Sequence, residues 1–358
     1  MKVLKMKKKI LLVTFSDNAD HQDTLFGMYE NLIDTENVTL LAIKEPKVPV
    51  DQSDRTWLID CPKRPGICKK TFDLKLLFSI IHRIQKEKFD VIYFESLHVW
   101  NLAIMLFTNK KTHTYQVIHE VIPHEGDKQV KMVDLMNKAV CLLCDTVVLR
   151  NQTYIEEMTK RYAISKDRVK YMELWRRYPE YTKPVHSKRV LFFGRINPYK
   201  GADNLVELAR LCPQIQFDVV GRVDVQMEEV IADLSKEENV TINNNYVSDE
   251  EMRNYFVGAD WVIVPYNSAS QSGIIIDAYK YSRPVIAFNV GAISEQVADG
   301  KSGYLIESGD NKKFATKICE VIDMSEDALE KMCMEAYAYG SEKYAVSGAV
   351  ERFWELVG

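Results

Sequence analysis

Short apolar runs alternate with amphipathic segments from one end of this 358-residue chain to the other. That alternation leaves few folds open, because a strand, a helix and a second parallel strand form the repeating unit of an α/β sheet. Residues 10–15 are continuously apolar apart from Thr14, as expected of a parallel strand covered on both faces. Further strands are predicted over 38–43, 90–94, 114–119, 146–149 and 169–172. Helices are predicted over 24–33, with Asp23 as N-cap, over 72–88 and over 154–162. In the second of these, Leu74, Leu77, Phe78, Ile81 and Ile84 form one stripe. Residues 175–187 hold two prolines, several charges and no periodicity, and read as a linker. A second cycle follows, with strands over 189–193, 216–220, 240–242, 261–264 and 285–288. Its helices fall over 202–211, 225–234, 249–257 and 273–281, and helices dominate from 311 onward. The expectation is an α/β chain with two doubly wound, Rossmann-like parallel sheets. The first domain spans 1–178 and the second 188–341, with a last helix, about 342–358, packing back on the first.

Length and composition agree with two ordinary globular domains, with 46% apolar and 27% charged residues. A net charge of −4 and a pI near 6.1 argue against a general nucleic-acid binder. The charge is uneven. Residues 1–183 carry 30 Lys and Arg against 24 Asp and Glu, whereas the remainder is acidic. The basic half is either ordinary surface or a face for an anionic partner such as a membrane. Seven cysteines without a disulfide framework fit a reducing cytosol. Cys141-Leu142-Leu143-Cys144 lies in an apolar helical run and reads as core packing. No run approaches the ~20 apolar residues of a membrane span. The expected location is cytoplasmic, with peripheral contact at the inner membrane face through the basic loop 63–70 and Trp175-Arg176-Arg177-Tyr178.

Two stretches carry the chemistry. Gly194-Arg195-Ile196-Asn197-Pro198-Tyr199-Lys200-Gly201 follows a strand and opens a helix. Val264-Pro265-Tyr266 leads through Ser270-Gln271-Ser272-Gly273 into another helix. Ligands of open α/β sheets bind at such strand ends. A helix N-terminus offers unpaired amides and a positive dipole end to an anion. Arg195 can fork phosphate oxygens and Lys200 can act as a point charge. Gly194, Gly273 and the small residues Ser270 and Ser272 allow close backbone approach, and either serine can cap the helix. Asp277, one turn on, is placed for ribose hydroxyls. The implied ligand is a diphosphate, most simply a nucleotide-sugar. No Asp-x-Asp pair, no G-x-x-x-x-G-K-[ST] loop and no G-x-G-x-x-G occurs, so no metal and no other cofactor is expected. In the first half, His119 falls at a strand tip, with His124 as its helper or a plain loop residue. Asp17, Asn18, Asp20, His21 and Asp23 follow the first strand as candidate acceptor contacts; capping explains Asp20 and Asp23 equally well.

The second half resembles the donor domain of a family 4 glycosyltransferase with the GT-B fold. The matching residues are Gly194-Arg195-x4-Lys200-Gly201, Val219-Val220-Gly221, Val240 with Tyr246-Val247-Ser248, Ala259-Asp260-Trp261-Val262-Ile263-Val264-Pro265 and Pro284-Val285-Ile286. Gly291, Glu295, Gly300 and Gly303 continue the pattern. The first half resembles the acceptor domain more loosely. The resemblance implies two Rossmann-like domains facing each other across a cleft, and retaining, metal-independent transfer from a nucleotide-sugar. It implies that Arg195 and Lys200 neutralise the leaving diphosphate and that His119 contacts the donor sugar. Gly221 and Ile274 join Gly194, Ser270, Gln271, Ser272, Gly273 and Asp277 as donor contacts. The acceptor is expected to be a glycan or lipid-linked, in surface polysaccharide or glycolipid synthesis. Two departures stand out. The family often has two glutamates eight apart; here those positions are Ala269 and Asp277, so the first acid is absent. The glycine pair often found after the first strand is also missing. Two other readings stay open: a non-catalytic GT-B partner of another transferase, and a sugar-nucleotide epimerase of the same fold.

Overall fold

A computed structural model describes residues 8–32, 37–122 and 130–358. The chain divides into two compact units. The first contains the described residues as far as Arg176 together with Val346–Gly358, and the second is formed from Arg177–Ala345.

The first unit is built on a seven-stranded sheet. Its strands are β1 (Ile10–Thr14), β2 (Val38–Ile43), β3 (Thr56–Ile59), β4 (Val91–Phe94), β5 (His113–Ile118), β6 (Thr146–Leu149) and β7 (Val169–Tyr171). The order is β3-β2-β1-β4-β5-β6-β7, and every pairing is parallel. Leu12 lies beside Leu40 on one side and Tyr93 on the other. Side chains alternate between two buried cores. Leu11 and Val13 pack with Ile81, Ile84 and Ile104, whereas Ile10 and Leu12 pack with Leu25, Phe26 and Phe353. A sheet buried on both faces must be apolar at every position, which is why β1 reads as a run rather than an alternation.

The helices are α1 (Ala19–Leu32), α2 (Leu74–Glu87), α3 (Val99–Phe107), α4 (Val130–Leu143), α5 (Ile155–Tyr162) and, after the second unit, α12 (Val346–Val357). Helix α1 begins earlier than its periodicity suggests. Asn18 Oδ1 accepts from the Asp20 amide at 2.8 Å and the Asn18 carbonyl accepts from Gln22 at 3.2 Å, so Asn18 rather than Asp23 caps it. Cys141 and Cys144 are buried in and just after α4, where burial pushes both thiols up to about 12. The stretch read as a linker starts later than expected. Trp175 is buried and donates through Nε1 to the Thr24 carbonyl at 2.7 Å, while buried Arg176 pairs with Asp20 at 2.9 Å.

The second unit has a six-stranded parallel sheet in the order β10-β9-β8-β11-β12-β13. Its strands are β8 (Arg189–Phe193), β9 (Gln216–Val220), β10 (Val240–Asn243), β11 (Trp261–Val264), β12 (Val285–Asn289) and β13 (Gly303–Glu307). The helices are α6 (Ala202–Leu211), α7 (Glu228–Leu234), α8 (Asp249–Gly258), α9 (Gly273–Lys280), α10 (Asn311–Ile322) and α11 (Glu326–Tyr344). In both sheets the chain winds outward on one side of the first strand and then returns to its other side. The switch points fall between β1 and β4 and between β8 and β11.

Helix α12 closes the first unit. Its Ala349, Phe353 and Val357 are buried, the Phe353 ring lies 5.2 Å from that of Tyr93, and the Leu356 carbonyl accepts from the Tyr115 hydroxyl at 3.1 Å. Phe353→Ala should therefore destabilise the first unit by about 3–5 kcal/mol, read as a lower urea midpoint for that unit's transition. An unchanged midpoint would show that α12 is dispensable to its core.

Candidate active site

The β8/β11 switch point brings the two sequence stretches together. The loop after β8 is drawn along β9: the Gly194 amide donates to Val220 at 2.9 Å, the Ile196 amide to Arg222 at 2.8 Å and the Asp224 amide to Ile196 at 2.9 Å. Gly221 lies directly against the Gly194 carbonyl. The same loop is then laced to the loop after β11. Asn267 donates from its amide to the Tyr199 carbonyl at 2.8 Å and from Nδ2 to the Pro198 carbonyl at 3.1 Å. Asn204 Nδ2 donates to the Pro265 carbonyl at 2.8 Å. Gly201 sits at φ +69°, where a Cβ would stand 1.9 Å from the Pro265 carbonyl oxygen. Only glycine permits both that conformation and that approach.

Lys200 is thereby placed over Gly194. A Cβ on Gly194, which has φ +108°, would lie 2.6 Å from Lys200 Nζ and 3.4 Å from Ile274 Cδ1. Lys200 Nζ also stands 5.3 Å above the Tyr266 ring. Gly194, Lys200, Tyr266 and the first turn of α9 thus share one site. Arg195 is exposed at its edge and lies 3.6 Å from Asp224. Ser270 is buried and Gln271 half-buried in the loop leading to α9, and Gly273 begins the helix.

Ser272 occupies the N-cap position of α9 but does not cap it through its side chain. Its Oγ is buried next to the Tyr266 hydroxyl, and among the described residues neither makes a well-formed hydrogen bond elsewhere. The Ser272 backbone is clamped instead: its amide donates to Gln296 Oε1 at 2.7 Å, and Gln296 Nε2 donates to its carbonyl at 3.0 Å. The Ser272 amide, expected to approach an anion, is therefore taken by Gln296. Asp277 is buried one turn on. Burial raises the Tyr266 hydroxyl pKa well above its ordinary value; the Ser272 hydroxyl opposes the shift and the Asp277 charge adds to it. Ala269 is buried and supplies no acid.

The first unit assembles a different cluster at its own switch point. His119 follows β5 and is half-buried. Its Nε2 donates to the Glu95 carbonyl at 2.8 Å and lies 3.4 Å from Glu95 Oε1. Glu95 is fully buried just after β4 and accepts both Arg150 NH2 contacts, at 2.7 and 2.6 Å. Burial opposes the Glu95 charge, yet Arg150 and His119 hold its carboxyl below the usual range. His21 is buried, stacks on His119 at 4.5 Å and meets Ser16 Oγ through Nδ1 at 3.0 Å. Asp17 is half-buried, Asn18 is taken up in capping, and His124 lies outside the described residues. Among the described residues no group of three or more His, Cys, Asp or Glu is arranged to hold a metal ion.

Sequence reasoning missed Asn204, Asn267 and Gln296 in the second unit and Glu95 and Arg150 in the first, and it gave Tyr266 no role of its own. The amides carry no spacing signal. The strand-tip position of Glu95, after a run of four apolar residues, was a signal open to reading.

The family described as glycosyl transferases group 1 matches residues 187–324. The chain is 29% identical over 176 residues to a D-inositol 3-phosphate glycosyltransferase of Mycolicibacterium smegmatis, covering 48% of this chain but only 41% of the relative. It is 25% identical over 309 residues to an uncharacterized protein in the cps region of Klebsiella pneumoniae, covering 78% of this chain and 82% of that one. HepE of Anabaena, solved in complex with UDP-glucose, aligns with a TM-score of 0.72 at 16% identity, covering 98% of this chain and 99% of that one. That likeness establishes a shared fold.

Burial first, then the charges of His119, Arg64, Arg150 and Arg176, lower the His21 pKa well below its ordinary value. The unfolded chain then binds a proton that the folded one refuses, so His21 favours folding above ~6.5 and opposes it increasingly as pH falls below that. His21→Gln should flatten the loss of stability between pH 7 and pH 5, followed by urea midpoints. A decline as steep as in the parent protein would exclude His21 as its source.

Proposed function

We propose that this chain, whose residues 187–324 match the glycosyl transferases group 1 and which has the GT-B fold, is a member of that family and moves a sugar from a nucleotide-sugar to a hydroxyl acceptor. The observation that carries this reading is the convergence of Lys200, Gly194 and the start of α9 at the β8/β11 switch point. A diphosphate placed there meets the Lys200 ammonium, the Ser272 hydroxyl and the first-turn amides of α9. Among the described residues Arg195 is held by an exposed contact with Asp224, a kind of pair worth little in water, so its guanidinium is released to phosphate at small cost. Glycosyl transfer builds negative charge on the leaving diphosphate, and these groups stabilise that charge without a metal. We take Asp277 as the ribose contact and His119 as the donor-sugar contact. Asp17, Asn18 and His21 stand on the acceptor side only in this reading. Transfer with retention is the outcome the resemblance implies. UDP-glucose, the ligand named for the Anabaena protein, is the first donor to try.

The acceptor is a glycan or a lipid-linked sugar, in surface polysaccharide or glycolipid synthesis. Among the described residues no helix is long and apolar enough to cross a membrane. Peripheral contact is supported at the basic loop 63–70, extended to Phe78, but not at Trp175-Arg176. Trp175 and Arg176 are buried and cannot meet lipid. By contrast Ile67, Phe72, Leu74 and Phe78 are exposed, with Lys63, Lys69, Lys70 and Lys75 exposed among them.

Lys200→Ala should lower turnover about 100-fold and Arg195→Ala about 10-fold, the scale of lost charge stabilisation in a transition state, measured as UDP release from UDP-sugars with thermal melting as the folding control. Turnover unchanged in both variants would sink the transferase reading. Phe72→Glu combined with Phe78→Glu should abolish binding to phosphatidylglycerol vesicles at low salt. Parent protein that fails to bind those vesicles would refute the membrane contact.

A further inference from the structure

We infer that the buried Glu95–Arg150 ion pair is a positioning device for His119, holding the strand tip and carboxylate that fix the orientation with which that ring meets the donor sugar. This rests on the transferase reading above. The pair is costly to bury. Both side chains are wholly shielded from water, and an ion pair removed from water seldom stabilises a fold beyond what apolar residues of like volume achieve. Its geometry indicates what it does instead.

Arg150 reaches three places. Its NH2 grips both Glu95 oxygens, and its NH1 donates to the carbonyls of Met172 and Glu173 at 3.3 and 3.0 Å. Its guanidinium lies 4.6 Å from the Trp175 ring. The tip of β4 is thereby anchored to the segment that follows β7. Glu95 in turn turns two acceptors toward His119: its main-chain oxygen at 2.8 Å and its carboxylate at 3.4 Å. A ring nitrogen facing two oxygen acceptors must carry hydrogen, so Nε2 is the protonated nitrogen whether the ring is neutral or charged. His21 stacks on the ring with only 16° between the planes, which removes rotation about the ring axis as well. Three contacts therefore determine one side chain. Such over-determination is what a group needs when it must hold a reacting sugar within a fraction of an ångström.

The test uses the full chain. Glu95→Gln alone leaves Arg150 buried and unpaired, so the double variant Glu95→Gln, Arg150→Met, which removes both charges, is made beside it. Each is also made with His119→Ala. UDP release is measured with UDP-glucose and UDP-N-acetylglucosamine as probe donors, and the histidine ring nitrogens are followed by NMR in 15N-histidine-labelled protein. The expected result is a fall in kcat of about tenfold with KM changed less than about twofold. No further loss is expected once His119 is already alanine. The ring should be the Nε2–H tautomer in the parent protein, and its ring-nitrogen resonances should shift in the double variant, where the carboxylate is gone and only the main-chain acceptor remains. An equal loss with and without His119, or an unaltered ring spectrum, overturns the inference. Parent protein that releases no UDP from either probe counts against those donors and the transferase reading, and the ring spectrum then decides the positioning role by itself.

Discussion

The Pro265 carbonyl is the point on which the second unit's site depends. It receives the Asn204 amide and lies against the Cα of Gly201, so that the loop after β8 and the loop after β11 cannot separate. Lys200 immediately precedes Gly201 and Tyr266 immediately follows Pro265. Closing that one contact therefore carries the ammonium over the Tyr266 ring and onto Gly194. Neither cation nor helix start would form a site alone. A lysine on a turn is a solvated charge, and a helix start is capped by any polar neighbour. Their value for an anion comes from being held together where the sheet changes direction.

The same logic operates at the first unit's switch point with different chemistry. Thr14, Ser16, Glu95 and Ser96 stand at the ends of β1 and β4, with Thr14 Oγ1 and Ser96 Oγ 3.3 Å apart. Here the crevice holds a buried carboxylate rather than an anion site, and Arg150 rather than helix amides supplies the positive charge. A carboxylate with this burial would protonate if left alone. Arg150 and His119 keep it charged, so charge and geometry support one another in that cluster.

The sequence was most legible where a strand is buried on both faces or a helix on one. Arg189–Phe193, Gln216–Val220, Trp261–Val264 and Ala202–Leu211 fall where pattern alone puts them. It was least legible where the pattern is flat. Val99–Phe107 has apolar side chains nearly all round and so no stripe, and Thr56–Ile59 is an edge strand with one buried residue. The phosphate side of the candidate site was readable because Gly194, Lys200 and Gly201 sit close together in the chain. Glu95 and Arg150 are 55 residues apart, and nothing local to either announces the other. Ser272 shows a third kind of limit. Its cap position was readable, but not that Gln296, 24 residues on, takes its amide and leaves its hydroxyl beside that of Tyr266 rather than capping the helix.

Net charge misleads about this second unit. The acidic half of the chain is the half proposed to bind an anion, and Asp224 and Asp277 lie beside the site itself. Charges more than about 8 Å from the ligand are largely screened at physiological salt, so the surplus acid on the outer faces contributes little. What remains is local: the Lys200 ammonium, the Arg195 guanidinium and a helix start that its N-cap side chain does not cap. In the proposed reading Asp224 has a constructive part, because an arginine resting against an exposed carboxylate is kept at the mouth of the site without being desolvated. It can exchange that partner for a phosphate, which carries more charge and accepts both arms of the fork.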